Sequence, residues 1–365
     1  MPPKVKKTYT PPKSLDAFRT AQEKKYGDRV VRHEDAREMT YIPTGSIGLD
    51  MALGGGWARG RIHEVIGQPG VAKTSLCMVG MGEAQRQHKT LAVGYIDMER
   101  TWKWDWAEKL GVDTSKKRLI YQKPDSSEDV SDMLRDMLRS ELFSLVVVDS
   151  VGGMERADVI FEKDAEQSDM GKNSQVISRL CKQVAVIGDN SNTATILVNQ
   201  FRKDFGSMTG MDKASGPMIL GYSTTDSVVL RRTYGVGNVE MANLDGDEIE
   251  VSRKIVARVQ RSKIFVQGRK AEFFFTNADT DFGPVGIDQV GEIYMMAKKC
   301  GVLVPNTETS SWMVFPDGTK ENGEKGCKAR LRKDPKLAEE IRRMCVKTVE
   351  KDRIIETEVT FEPAG

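Results

Sequence analysis

The sequence has no apolar run long enough to cross a bilayer, no C-x-x-C pair and no internal repeat. The first absence argues against a membrane-spanning protein. Its five cysteines, Cys77, Cys181, Cys300, Cys327 and Cys345, are scattered and odd in number, which argues against a disulfide framework or a zinc site. Neither charge dominates, since 55 basic residues face 53 acidic ones for a formal net charge of +2. That balance neither demands nor excludes a polyanionic partner, which responds to local patches. The opening MPPKVKKTYTPPK is basic and proline-rich but lacks the apolar core and small-residue cleavage site of a secretory leader. A cytoplasmic protein is the simplest expectation. What is present is 365 residues, 39% of them hydrophobic and 30% charged. That is enough for one large core with appendages, or for two domains.

Along the chain, Ser14 can cap a helix whose Leu15, Phe18 and Ala21 share a face before Gly27 ends it. So short a helix needs a partner surface, on its own domain or on a neighbour. From 41 to 232, β-rich runs at 61–66, 90–97, 145–149, 195–199 and 227–232 alternate with helical spacing, notably at 129–142 and 171–187. This pattern predicts a mostly parallel sheet covered by helices, and near-continuous apolar runs such as LVVVD predict strands buried on both faces. Segments 163–171 and 202–221 carry glycines without periodicity and read as long loops, which are often functional. Two further strands, 251–259 and 271–276, flank the basic turn QRSKIFVQGRK. Beyond Gly283, helices at 287–300 and 335–350 around strands near 312–315 predict a small α/β domain.

The run RIHEVI leads into Gly67-Gln68-Pro69-Gly70-Val71-Ala72-Lys73-Thr74-Ser75 and then a helical stretch. Strand, glycine-bearing loop and helix together form the context of a phosphate-binding loop, in which backbone N–H groups and the helix N-terminus face the phosphates. Lys73 would reach the terminal phosphates and the Thr74 hydroxyl would hold magnesium. Ala72 stands where the usual pattern has glycine, and its β-carbon adds the smallest possible obstacle to the turn. LVVVDS ends a strand in Asp149, where a carboxylate can hold magnesium through water or simply cap the strand. LAVGYID is followed by Glu99, a candidate for activating the attacking water or else a solvated loop residue.

Taken with PTGSIGLDMALGGGWARGRIHEVIGQPGVAKTS, YIDMER, the A-x-K-L-G-V-D ending of WKWDWAEKLGVD, VVVDSVGGM and ILVNQFR, the chain resembles the RecA family from about 14 to 351. The resemblance implies a RecA-like P-loop ATPase core in the α/β class, using ATP and Mg2+. It places the catalytic glutamate at Glu99, an adenine-stacking aromatic at Trp106 and a γ-phosphate sensor at Gln200. Trp102 and Trp104 are read as surface or core-packing residues. The two long loops coincide with the family's DNA-binding loops, which implies DNA contacts at Met170, Gly171, Ser178, Lys182, Arg202, Gly206, Met208, Gly210 and Gly216. In those positions glycines admit the backbone to phosphates, Arg202 and Lys182 neutralise them, and a methionine can wedge between bases. Arg261 and Lys263 match a pair that reaches across a subunit interface to the neighbour's ATP, with arginine in place of one lysine.

The second loop departs from the family in Pro217, Asp204 and Asp212, and in having no aromatic residue between Gly206 and Gly210. The expected organisation is a basic tail (1–13), a polymerisation element (14–40), the ATPase core with both DNA loops (41–282), a small C-terminal domain (283–350) and a tail (351–365). The expected function is an ATP-dependent recombinase that forms helical filaments on single-stranded DNA and pairs it with homologous duplex, with no membrane partner. The rival readings are a hexameric helicase or other ring motor on the same core, and a non-hydrolysing regulatory paralogue.

Overall fold

The computed structural model describes residues 14–27, 38–154, 170–202, 213–214, 218–235, 237–244, 247–279, 283–307 and 310–359. The chain divides into two units between Thr40 and Tyr41. The first holds α1 (Leu15–Tyr26), opened by the Ser14 hydroxyl, which accepts a hydrogen bond from Ala17 N at 3.1 Å, and closed by Gly27 at φ +59°.

The second unit begins with β1 (Tyr41–Ile42), α2 (Ile47–Leu53), β2 (Trp57–Ala58), β3 (Ile62–Gly67) and α3 (Lys73–Gln87). Next come β4 (Ala92–Asp97), α4 (Trp104–Lys109), β5 (Leu119–Gln122), α5 (Ser127–Ser140) and β6 (Phe143–Asp149). Then follow α6 (Met170–Ser191), β7 (Ala194–Arg202), β8 (Lys213–Ala214), α7 (Met218–Ser223) and β9 (Asp226–Arg232). Four strands continue the sheet: β10 (Val239–Leu244), β11 (Asp247–Ser262), β12 (Lys270–Thr276) and β13 (Gly286–Ile287). The chain ends in α8 (Gln289–Lys299), β14 (Val304–Pro305), β15 (Trp312–Val314), β16 (Lys320–Asn322), α9 (Gly323–Lys333) and α10 (Pro335–Val359).

The main sheet runs β13-β12-β11-β9-β3-β7-β6-β4-β5. Strands β9, β3, β7, β6, β4 and β5 are mutually parallel, while β11, β12 and β13 extend the sheet in antiparallel fashion. Every residue of β3 and β6 is buried, as the apolar runs predicted. On one face Leu76 and Met81 of α3 pack on Val65, Val147, Ile196 and Val228. On the other, Leu134 of α5 and Leu180 of α6 pack on Ile62, Val146 and Leu197. A third core gathers α8, α9 and α10 around Ile293, Leu331, Phe315 and Ile341.

Several expected boundaries move. The helix expected at 129–142 starts at Ser127, because Ser126 and Asp129 form a reciprocal capping box. Met170 and Gly171, expected in a loop, form the first turn of α6. The strand expected at 251–259 is β11, which runs from Asp247 to Ser262 because its first half pairs with β10 in a hairpin. The expected tail is helical as far as Val359.

Candidate functional site

Parallel strands deliver their carboxyl ends to one edge of a sheet, where α/β proteins bind ligands. Here Gly67 of β3 lies beside Gln200 of β7, and Asp97 of β4 beside Asp149 of β6. The loop from Gly67 to Ala72 turns off that edge into α3. Gly67 has no room for a side chain, since a β-carbon there would meet Val71 Cγ1 at 2.5 Å and Leu230 O at 3.0 Å. Gly70 sits at φ +71° and Ala72 at φ +62°, ψ +29°, so the alanine adopts the left-handed backbone natural to glycine. Leu76 N donates to Ala72 O at 2.9 Å and starts α3. The loop therefore adopts the left-handed turn natural to glycine despite the methyl group.

Lys73 is buried and donates from Nζ to Gln68 O at 3.0 Å. Burial pulls its ammonium below the ordinary lysine range, and the nearby Asp149 and Glu99 carboxylates oppose that shift. Thr74 Oγ1 donates to Asp149 Oδ2 at 2.5 Å, and the Tyr95 hydroxyl donates to the same oxygen at 2.8 Å. Burial raises the Asp149 carboxyl, against the lowering effect of those two bonds. A desolvated carboxylate beside a hydroxyl is a hard-oxygen donor set, which fits Mg2+. Glu99 Oε1 accepts from Ser150 Oγ at 2.6 Å and from Gln200 Nε2 at 2.7 Å. The residues expected to act on water and to sense the phosphate thus touch directly. Trp106 Nε1 donates to Ser75 Oγ at 3.2 Å, which holds its indole against the first turn of α3. Trp102 packs with Tyr95 and Tyr121, their ring centroids 4.6 and 5.4 Å from its own.

Three residues that sequence reasoning had not singled out complete the site. Glu64, buried in β3, accepts from Asn199 Nδ2 at 2.8 Å and from Ser227 Oγ at 2.9 Å. Asn199 Oδ1 in turn accepts from Gln200 N at 2.8 Å, so Glu64 braces the end of β7. Burial raises Glu64, while these bonds and the charge of Arg261 lower it. Arg232 reaches across from β9 to donate from Nε to Gly70 O at 3.1 Å. Tyr95 fixes Asp149 as described. The available signal was a charged residue inside the apolar run IHEVI and a hydroxyl inside AVGYID.

The remaining expected residues lie elsewhere. Lys182 is exposed and Ser178 half-buried on α6. Arg202 ends β7, and its side chain lies outside the described residues, as do Gly206, Met208, Gly210 and Gly216. Arg261 Nη1 donates to Gly221 O, and Lys263 Nζ donates to Tyr222 O at 2.5 Å, so both cations hold carbonyls near the end of α7. Arg261 pairs with Ser227 at the start of β9, and Ser227 pairs with Glu64 near the start of β3. The run from Glu64 to Gly67 along β3 adds about 10 Å, and the two strand spacings between β11 and β3 add about 10 Å sideways. The Arg261 backbone is therefore roughly 14 Å from Gly67, displaced toward the opposite edge of the sheet.

Comparison with known proteins places these residues in context. A family model described as the RecA N-terminal domain matches residues 13–276. Protein RecA of Porphyromonas gingivalis (strain ATCC 33277) is 29% identical over 338 residues, covering 90% of this chain and 93% of that protein. Protein RecA of a Sulfurovum species is 31% identical over 303 residues, 82% of this chain and 81% of its own length. Protein RecA of Helicobacter pylori (strain G27) is 30% identical over 319 residues, 86% and 84% of the two chains.

Proposed function

The chain belongs to the RecA family of recombinases, and from that premise we propose that it hydrolyses ATP at an active site shared between head-to-tail subunits on single-stranded DNA. Pairing of that strand with a homologous duplex is the output. The observation that carries this reading is the placement of Arg261 and Lys263 away from the phosphate-loop edge of their own sheet. A subunit cannot turn these cations onto its own phosphates, but a translated copy can present them to its neighbour's. Such a heterologous contact generates a polar assembly. The Leu15, Phe18 and Ala21 stripe of α1 supplies an apolar face for the same kind of contact.

In this reading the backbone N–H groups of 68–74 and the Lys73 ammonium bind the nucleotide phosphates. Thr74 and Asp149 hold Mg2+, which supplies charge neutralisation at the phosphates when bound. Trp106 orients the base. Glu99 holds a water and takes its proton, and Gln200 passes the state of the site along β7 toward the segment after Arg202. Lys182, Ser178 and Arg202 contact the DNA backbone, with Met170, Gly171, Gly206, Met208, Gly210 and Gly216 completing the two loops. Among the described residues no helix is long and apolar enough to cross a membrane.

The test uses two variants, Lys73→Ala and Arg261→Ala/Lys263→Ala, each nearly inactive alone. Mixed in equal amounts, random insertion should leave about a quarter of interfaces with both halves intact, by the head-to-tail geometry. Labelled subunits that co-assemble yet regain no hydrolysis at any ratio would overturn the shared site. Strand exchange without processive duplex unwinding separates a recombinase from a ring motor.

A further inference from the structure

Two carboxylates lie side by side at the carboxyl edge of the sheet, Asp97 of β4 and Asp149 of β6, and their surroundings give them different work. Asp97 has both oxygens occupied by its own neighbourhood. Its Oδ1 accepts from Arg100 N at 2.7 Å, and its Oδ2 accepts from Trp102 N at 3.1 Å and from the Tyr121 hydroxyl at 2.9 Å. Asp97 thereby clasps the loop that leaves β4. At Asp149, by contrast, the donors among the described residues, the Thr74 and Tyr95 hydroxyls, both choose Oδ2. Thr74 comes from the first turn of α3, but Tyr95 comes from a separate strand and has no task in the chemistry set out above. It pairs with Val147, two residues short of Asp149, so its hydroxyl reaches about 7 Å along the strands. A tyrosine spans that distance, whereas serine, threonine or cysteine would stop short. The ring is fully enclosed, with the Trp102 ring centroid at 4.6 Å and that of Tyr121 at 6.3 Å. Packing thus fixes the ring and, with it, the place of the hydroxyl.

We propose that Tyr95 is a positioning residue for the divalent cation: by holding Asp149 Oδ2 from the side of β4, its hydroxyl fixes the carboxylate and keeps Oδ1 as the oxygen offered to the ion. The inference rests on the reading that Thr74 and Asp149 hold that ion. A hydroxyl can donate its proton and still present oxygen lone pairs, so Thr74 serves Asp149 and the cation at once. Tyr95 only has to donate. Two donors on one oxygen, arriving from α3 and from β4, stop the carboxylate from turning about its Cβ–Cγ bond. With the Tyr95 hydroxyl removed a single donor remains, and the carboxylate can offer Thr74 either oxygen. Partners that orient a metal-binding carboxylate set metal affinity, and losing one typically costs about 10–100-fold. The two tyrosines also sort the two aspartates. Asp97, saturated by Tyr121 and its own loop, stays out of the metal site, while Asp149 enters it with one oxygen to spare.

The test measures metal binding apart from turnover, on the full chain with a non-hydrolysable ATP analogue. Mn2+ stands in for Mg2+, and its free fraction is read by electron paramagnetic resonance. Trp106 fluorescence, titrated with the analogue in EDTA, gives nucleotide affinity without metal. Tyr95→Phe keeps the ring beside Trp102 and Tyr121 and removes only the donor. It should weaken Mn2+ binding by about tenfold or more, with metal-free nucleotide affinity unchanged within about twofold. Tyr121→Phe takes its hydroxyl from Asp97 instead and should leave Mn2+ affinity as in the parent. Asp149→Asn should weaken Mn2+ by itself, and adding Tyr95→Phe to it should cost less than about twofold more, because the hydroxyl acts through that carboxylate. The positioning role is overturned by parent-like Mn2+ binding in Tyr95→Phe, by an equal loss of metal-free nucleotide affinity, or by the same Mn2+ loss in Tyr121→Phe. A full Tyr95→Phe penalty in the Asp149→Asn background overturns it too, as does failure of Tyr95→Phe to fold, which would make the hydroxyl structural. Parent-like Mn2+ binding in Asp149→Asn, or no Mn2+ binding in the parent, overturns the metal site itself, which separates the two failures.

Discussion

Ala72→Gly restores the residue usual for the proposed phosphate-binding turn, and the structure sets the size of the effect. At φ +62° and ψ +29° a β-carbon costs about 1–2 kcal/mol, which glycine would relieve. Two losses oppose this gain. Glycine frees the unfolded chain, at a cost of about 0.4–1 kcal/mol. The Ala72 methyl also packs partly buried against the main core, where its removal costs up to about 0.8 kcal/mol. The sum runs from a loss of about 0.8 to a gain of about 1.6 kcal/mol, so stability should shift by less than about 2 kcal/mol in urea denaturation. Nucleotide affinity should follow, because the loop already holds the turn in which its N–H groups converge. A change below about fivefold is expected from Trp106 fluorescence titrated with ATP and Mg2+. A loss of 2 kcal/mol, or a tenfold or greater gain in affinity, would refute the view that the methyl is accommodated.

Glu99→Gln keeps an oxygen to accept from Ser150 and Gln200, so folding and ATP binding should persist while hydrolysis falls by about 10²–10⁴-fold, measured by single-turnover phosphate release. Glu64→Leu strands the Asn199 amide and the Ser227 hydroxyl in the sheet and should cost about 2–5 kcal/mol in urea unfolding, whereas Glu64→Gln should cost less than half as much. Burial and the neighbouring Asp50 push Glu292 up to about 8, and Asp50 itself up to about 7, so the folded chain binds these protons more tightly than the unfolded chain does. Stability should therefore be highest near the ordinary carboxyl range and fall as pH rises toward about 8. Glu292→Gln should flatten that slope in melting temperatures taken across the interval.

The central strands were legible because burial on both faces leaves a continuous apolar run, as in β3 and β6. β10 was not, since VEMANL pairs only with β11 and its exposed residues follow no strong alternation. The first half of β11 escaped for the same reason: DEIE is acidic and exposed, and only the hairpin makes it a strand. Gly171 argued for a loop, but the helix beginning at Met170 runs through it. In the site, the loop from Gly67 to Ser75 could be read from spacing. The contact between Glu99 and Gln200, 101 residues apart, could be placed only through family resemblance. Glu64 was missed because catalytic patterns direct attention to loops, whereas its role comes from lying inside a strand between Asn199 and Ser227.

The placement of Arg261 and Lys263 away from the phosphate-loop edge also has an arithmetic consequence. If every active site needs a phosphate loop from one subunit and cations from the next, an open row of n subunits contains n − 1 working sites, while a closed ring contains n. The two termini of an open row are chemically unlike: one exposes an unassisted nucleotide, the other a pair of cations with no nucleotide to serve. Hydrolysis per subunit should then climb with polymer length and level off in long polymers. A ring of fixed size would show no such climb. Nucleotide at the unassisted terminus should also outlast nucleotide in the interior, so the two ends of one polymer would shed subunits at different rates.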